Sequence, residues 1–177
     1  MPSGKTHDLL TLALCLPVVA GAYALTAEVV ASSVAGAAFL FGGIVFGPDL
    51  DTVSRQYSRW GPFRLLWFPY RTFFRHRSRW THGLLFGTLI RVVYFLGIVS
   101  IFVFGGASLY GLFAGGGNPE IGEFADLWRG AGALSFSFLG DQILLAIFAG
   151  MWAGAASHTL TDVTISYIKT GRVDILL

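Results

Sequence analysis

The sequence predicts an all-α integral membrane bundle of about four transmembrane helices, with a cytoplasmic segment rich in arginine and aromatic residues. Three observations carry this. Of its 177 residues, 54% are hydrophobic and 12% charged, with a mean hydropathy of +0.66, whereas soluble domains carry roughly 25% charged residues. Four apolar runs approach the roughly 20 residues needed to cross the hydrocarbon core. Seven arginines crowd into one stretch between two of those runs. The length predicts one domain, 1–177.

The first span is expected at 9–26, behind Lys5. Lys5 and the Ala22-Tyr23-Ala24 stretch also resemble a secretory signal, a competing reading that would remove His7 by cleavage. Cys15 lies within this run as the only cysteine, which excludes an internal disulfide and a cysteine-based zinc cluster. The second span is expected at 29–46, ended by the polar turn Pro48-Asp49-Leu50-Asp51. Residues 48–82 then form a loop holding Arg55, Arg59, Arg64, Arg71, Arg75, Arg77 and Arg79. An excess of arginine marks the cytoplasmic side.

The third span is expected at 83–105, with Thr81 as its N-cap and His82 in its first turn. It carries Arg91, which costs about 2.5–3.5 kcal/mol at mid-depth and so must snorkel or pair within the bundle. Residues 108–141 read as an external loop, acidic through Glu120, Glu123 and Asp126, broken at Gly115-Gly116-Gly117-Asn118-Pro119, with room for a short surface helix. The fourth span is expected at 142–157. This order places both termini in the cytoplasm, with Lys169 and Arg172 there as well. Gly43/Gly47 and Gly150/Gly154 form GxxxG patterns, which predict close packing of spans two and four.

All four histidines, His7, His76, His82 and His158, fall just outside the apolar runs on the predicted cytoplasmic side. His158 and Asp162 are i and i+4, on one helical face, and could share one ion. Asp49 and Asp51 are i and i+2, which converge only in a turn or extended segment. His76 and His82, six residues apart, do not share a helical face. Imidazole and carboxylate together suit zinc. The candidate ligands are therefore His7, Asp49, Asp51, His76, His82, His158 and Asp162, for one or two divalent ions, zinc first among them.

These motifs, Thr6-His7-Asp8, Gly47-Pro48-Asp49-Leu50-Asp51, His76-Arg77-Ser78 to Thr81-His82-Gly83, and His158 to Asp162, resemble a family of uncharacterised metal-binding bacterial membrane proteins. Their order is similar to that of the YdjM-like membrane-bound metal-dependent hydrolases. More distantly it resembles the superfamily of zinc-dependent phospholipases C and single-strand-specific nucleases. That resemblance implies ligand roles for His7, for Asp49 or Asp51, for His82 or His76, and for His158 with Asp162. The chain departs from the superfamily pattern in having no histidine after His158, which leaves ligands for one or two ions rather than three.

A bound divalent ion implies hydrolysis of a phosphoester or related ester by activated water, with Asp8 or Asp49 orienting that water or accepting its proton. Two ions bridged by Asp51 or Asp162 would favour phosphoesters. Arg71, Arg75, Arg77 and Arg79, interleaved with aromatics, are expected to meet lipid headgroups, making membrane lipids partners and a phospholipid a candidate substrate. A nucleic-acid partner is not expected at a net charge of +2, which is low for a phosphate-tracking surface. A rival expectation is a non-catalytic metal-binding membrane protein, or a small subunit of a larger membrane assembly. A transporter is disfavoured because the ionisable groups gather at one surface and not at mid-membrane.

Overall fold

A computed structural model describes residues 3–76, 78–84, 86–114 and 120–171. The elements in order are α1 (Gly4–Thr26), α2 (Val29–Ile44), a 3-10 turn (Pro48–Asp51), α3 (Arg55–Arg59), a 3-10 segment (Gly61–Trp67), α4 (Phe68–Phe73), α5 (Phe86–Ala114) and α6 (Ile121–Thr170). The described residues are almost entirely helical and hold no strand. Among the described residues, four helices are long and apolar enough to cross a membrane, which fits a membrane protein.

The packing centre is α2. Its buried positions are nearly all small: Ala31, Ser32, Ala35, Gly36, Ala38, Phe39, Gly42 and Gly43. Small residues let helix backbones approach closely where side-chain burial supplies little drive. On one side of α2, Gly43 lies against Thr11 of α1. On the other side, α6 presses its backbone against α2 through Gly150 and Gly154, which meet the Ala35–Phe39–Gly43 stretch. The predicted packing of spans two and four is therefore present, with one difference. Gly47 lies beyond the end of α2 and faces the Gln56 side chain rather than α6.

Helix ends account for the differences from the expected spans. α1 starts earlier, at Gly4, because Ser3 caps it by accepting from the Thr6 amide at 3.3 Å. α5 starts later, at Phe86, and runs on to Ala114. Thr81 therefore does not cap it, and His82 sits in the preceding turn. Much of the expected external loop is helix as well, since Glu120 and Glu123 form a reciprocal capping box at the start of α6. The glycine-rich stretch 115–119 lies outside the described residues. α6 is bent at Gly140, whose φ of 72° and ψ of 166° break the helical path. Such a conformation is open to glycine and strained for other residues.

The loop expected to lie in a headgroup layer is half interior. Trp67 and Tyr70 are fully buried, whereas Phe63, Leu65, Phe68 and Phe73 are exposed. Trp67 packs on Phe46 with ring centroids 5.3 Å apart, on Trp60 at 5.2 Å and stacked on Phe95 of α5 at 6.0 Å. Aromatic pairs of this kind add about 0.5–1.5 kcal/mol each beyond area burial. The Tyr94 hydroxyl ties the loop to α5, donating to Leu66 O at 2.6 Å and accepting from the Tyr70 amide at 3.2 Å. This aromatic block fixes the turn that carries Asp49 and Asp51, because Leu50 between them is buried in it.

Candidate metal centre

Four segments deliver polar side chains to one place: the start of α1, the turn after α2, the turn before α5 and the late part of α6. His7 and Thr11 are the only buried residues of α1, and the His7 ring stacks on that of His158 with centroids 3.7 Å apart and planes 9° from parallel. His7 Nε2 is 3.2 Å from Asp162 Oδ1. His158 Nε2 is 4.0 Å from Asp162 Oδ2 and 3.4 Å from Asp49 Oδ2.

The other carboxylate oxygen of Asp49 points elsewhere, with Oδ1 lying 3.5 Å from His82 Nε2. Asp51 approaches the same imidazole from its far edge, Oδ2 being 3.5 Å from His82 Nδ1. The His82 ring is thus held between two carboxylates, which answers how residues at i and i+2 converge: they take opposite sides of one ring. Asp51 also accepts a hydrogen bond from His76 Nδ1 at 2.7 Å. At His76, the carboxylate bonded to Nδ1 places the proton there and leaves the Nε2 lone pair free, the arrangement by which outer carboxylates prepare histidine for a metal.

Among the described residues, two groups have ligand atoms close enough to hold an ion: His7, His158 and Asp162, all buried, and Asp49, His76 and His82, of which only His82 is buried. A test of fit comes from buried polar atoms without a hydrogen-bond partner. His82 Nε2, His158 Nε2, His7 Nδ1 and Asp51 Oδ2 are among them. An unsatisfied buried polar atom costs about 1–3 kcal/mol, and a cation at the two Nε2 atoms would remove that penalty. The donors present therefore fit a divalent ion.

Other predicted residues lie elsewhere. The Asp8 carboxylate is held by Arg59 at 2.9 and 2.6 Å and by Arg55 at 2.9 Å. These contacts fasten α1 to α3. Arg71 lies over the Tyr57 ring at 5.0 Å and the Phe68 ring at 5.6 Å, and Arg79 over Trp80 at 5.2 Å. Arg75 is exposed. Arg77 lies outside the described residues.

Gln56 was not singled out by the sequence, where a lone glutamine in an arginine-rich loop carries no metal signature. It is 4% exposed and joins three elements. Its Oε1 accepts from the Asp49 amide at 3.0 Å, and its Nε2 donates to Gly43 O at 2.7 Å while lying 3.3 Å from His158 Nδ1. Gln56→Leu is expected to weaken metal affinity about 10–100-fold, the usual scale for lost outer-shell support, as read by competition with a chelating dye. Unchanged affinity would contradict that role.

Of the two outcomes expected for Arg91, snorkelling or pairing inside the bundle, the structure shows the second. It is 1% exposed and donates to Thr81 O at 2.8 Å and Thr88 Oγ1 at 3.0 Å. Thr81 Oγ1 in turn is 3.1 Å from His82 Nδ1, so the buried guanidinium braces the turn that presents His82. Burial pushes the nearby Tyr70 phenol up to about 12, against an opposing pull from Arg91, so Tyr70 stays neutral at physiological pH.

Residues 2–172 match the family described as "Uncharacterized metal-binding protein (DUF2227)". An uncharacterised protein of Aquifex aeolicus (strain VF5) is 40% identical over 60 residues, covering 33% of this chain and 42% of that protein. The similarity thus spans less than half of that relative's length. No solved structure matches the chain.

Proposed function

The chain belongs to the uncharacterised metal-binding protein family DUF2227, and on that premise we propose that it is a membrane-bound, metal-dependent hydrolase of phosphoesters or related esters. The single-domain bundle spans the membrane with both termini and the His/Asp cluster on the cytoplasmic side, the orientation favoured by the arginines of 48–82. The observation that carries the reading is the pair of buried, partnerless Nε2 atoms of His82 and His158, facing the two oxygens of Asp49. His7, Asp49, His76, His82, His158 and Asp162 hold the metal, and zinc suits this mixture of imidazole and carboxylate. Asp51 stands behind His76 and His82.

A bound divalent ion supplies Lewis acidity and hydroxide at neutral pH. The chain's own residues do the rest. Asp49 and His76 remain partly open, with side chains 26% and 37% exposed, so substrate reaches the centre at that edge, while buried His7, His158 and Asp162 close the other. Arg71, Arg75, Arg77 and Arg79 supply positive charge to an anionic substrate near the membrane surface, which suits a phospholipid headgroup.

Kinship in motif order with YdjM-like hydrolases and with the zinc phospholipase and nuclease superfamily is part of this proposal, and would make the centre catalytic. A second reading, a non-catalytic metal-binding protein or subunit of a membrane assembly, is favoured by a different observation. A cavity of about 830 Å³ lies at the far end of α2, lined by Glu28, Ala31, Gly140, Asp141 and Gln142, and not by the candidate ligands. The deciding experiment is hydrolysis of generic phosphomonoester and phosphodiester substrates by metal-loaded protein in detergent. Activity lost in His158→Ala supports the hydrolase, and a metal-loaded but inert wild type supports the second reading.

The pH dependence of stability separates metal-free from metal-loaded protein. Burial disfavours the His82 imidazolium, but Asp49 and Asp51 outweigh it and hold its pKa above the ordinary 6.5. A raised folded-state pKa stabilises fully below the unfolded value and is lost as pH rises through the folded one. The chelated protein should therefore lose this contribution as pH climbs above about 6.5. Protons compete with metal for the same nitrogens, so the loaded protein should instead gain stability over that window. Parallel thermal-unfolding curves would contradict the assignment of His82 as a ligand.

A further inference from the structure

We infer that the centre holds two ions and that Asp49 is the carboxylate shared between them, one oxygen to each. This rests on the metal-binding reading above and refines it.

The two ligand groups share no residue as grouped by distance: His7, His158 and Asp162 form one, Asp49, His76 and His82 the other. Asp49 joins them. Its Oδ2 is 3.4 Å from His158 Nε2 in the first group and its Oδ1 is 3.5 Å from His82 Nε2 in the second. Neither nitrogen has a hydrogen-bond partner, and both are buried, with side chains 2% and 0% exposed. A carboxylate aimed at two unsatisfied nitrogens on opposite sides, forming a hydrogen bond to neither, is placed for cations on both sides.

Coordination number agrees. The first group plus Asp49 supplies four ligands, His7, His158, Asp162 and Asp49, the complement of a closed tetrahedral zinc site. The second supplies three, Asp49, His76 and His82, the complement of a site with an open position. Burial follows the same division. His7, His158 and Asp162 are each 5% exposed or less, whereas His76 and Asp49 are partly open to solvent. A single ion with about four ligands would leave at least two of these six donors unused, several of them buried at a cost. The bridging role expected of Asp51 or Asp162 thus falls to Asp49. Asp51 lies at the Nδ1 edges of His76 and His82, 2.7 and 3.5 Å away, and Asp162 lies beside His7 and His158 of the first group.

The test is metal stoichiometry of the full-length protein in detergent, by elemental analysis after saturation with Zn(II), with electron paramagnetic resonance of the Mn(II)-loaded form. Wild type should bind two ions per chain and give an exchange-coupled signal. His76→Ala should halve the stoichiometry by emptying the open site, and Asp162→Asn by emptying the closed one. Asp49→Asn should abolish the coupling. Either single-group variant suffices if the other fails to fold. One ion per chain in wild type, or two ions whose coupling survives Asp49→Asn, would overturn the shared carboxylate while leaving metal binding intact. No bound ion in wild type would overturn both.

Discussion

Gly154→Leu is expected to abolish metal binding although glycine 154 has no side chain to offer a metal. A Cβ at this position would overlap the Phe39 carbonyl oxygen and lie 2.7 Å from the Gly43 amide nitrogen. Backbone atoms of α2 cannot swing aside as a side-chain terminus can, so the larger residue must push α6 off α2. Overpacking typically costs 1–3 kcal/mol, and about 3 kcal/mol or more is expected where the obstacle is backbone. His158 follows one helical turn later, and productive sites tolerate misplacement of only about 0.5 Å. Gly130→Leu supplies the control, because a Cβ there meets nothing within 4 Å. Elemental analysis of the two purified variants should find metal in the second and not in the first. Full metal content in Gly154→Leu would show that the α2–α6 contact does not position the site.

The second large effect is on thermal stability. A ligand that binds only the folded state stabilises it by about 4 kcal/mol at a free concentration 1,000 times its dissociation constant. For a chain of this size each kcal/mol moves the melting temperature by roughly 2–4 °C. Metal-loaded protein should therefore melt about 8–16 °C above the chelated protein. The shift should be clearly smaller in His158→Ala, which removes the imidazole that meets both Asp49 and Asp162 and leaves only the Asp49, His76 and His82 group to hold an ion. An equal shift in that variant would place the stabilising ion somewhere other than this cluster.

The helical architecture was legible because apolar runs of span length have few alternatives. Their ends were less so. The stretch around Glu120 and Glu123 reads as an acidic loop in a hydropathy profile, yet the same two carboxylates cap a helix. His158 and Asp162 were recognisable from i, i+4 spacing alone, since both lie within one helix whose period is known. Convergence of His7 with them depends on how α1 and α6 pack on α2, which no local pattern encodes. The division of labour between Asp49 and Asp51 was likewise hidden. It arises from the 3-10 turn at Pro48–Asp51 and from Leu50 anchoring that turn in the aromatic block. Gln56 and the Arg91–Thr81 brace act on ligands through hydrogen bonds between distant segments, and glutamine, arginine and threonine carry no spacing signal for such work.

Everything turns on whether imidazoles and carboxylates from α1, the turn after α2, the turn before α5 and α6 bind a cation together. Elemental analysis of the protein purified without added metal, wild type beside His158→Ala, tests this most directly. A divalent metal at stoichiometric level is expected in the wild type, with the complement cut to half or less in the variant while the helical circular dichroism is retained. A metal-free wild type that also fails to take up zinc on titration, or a variant that keeps the full complement, would contradict it.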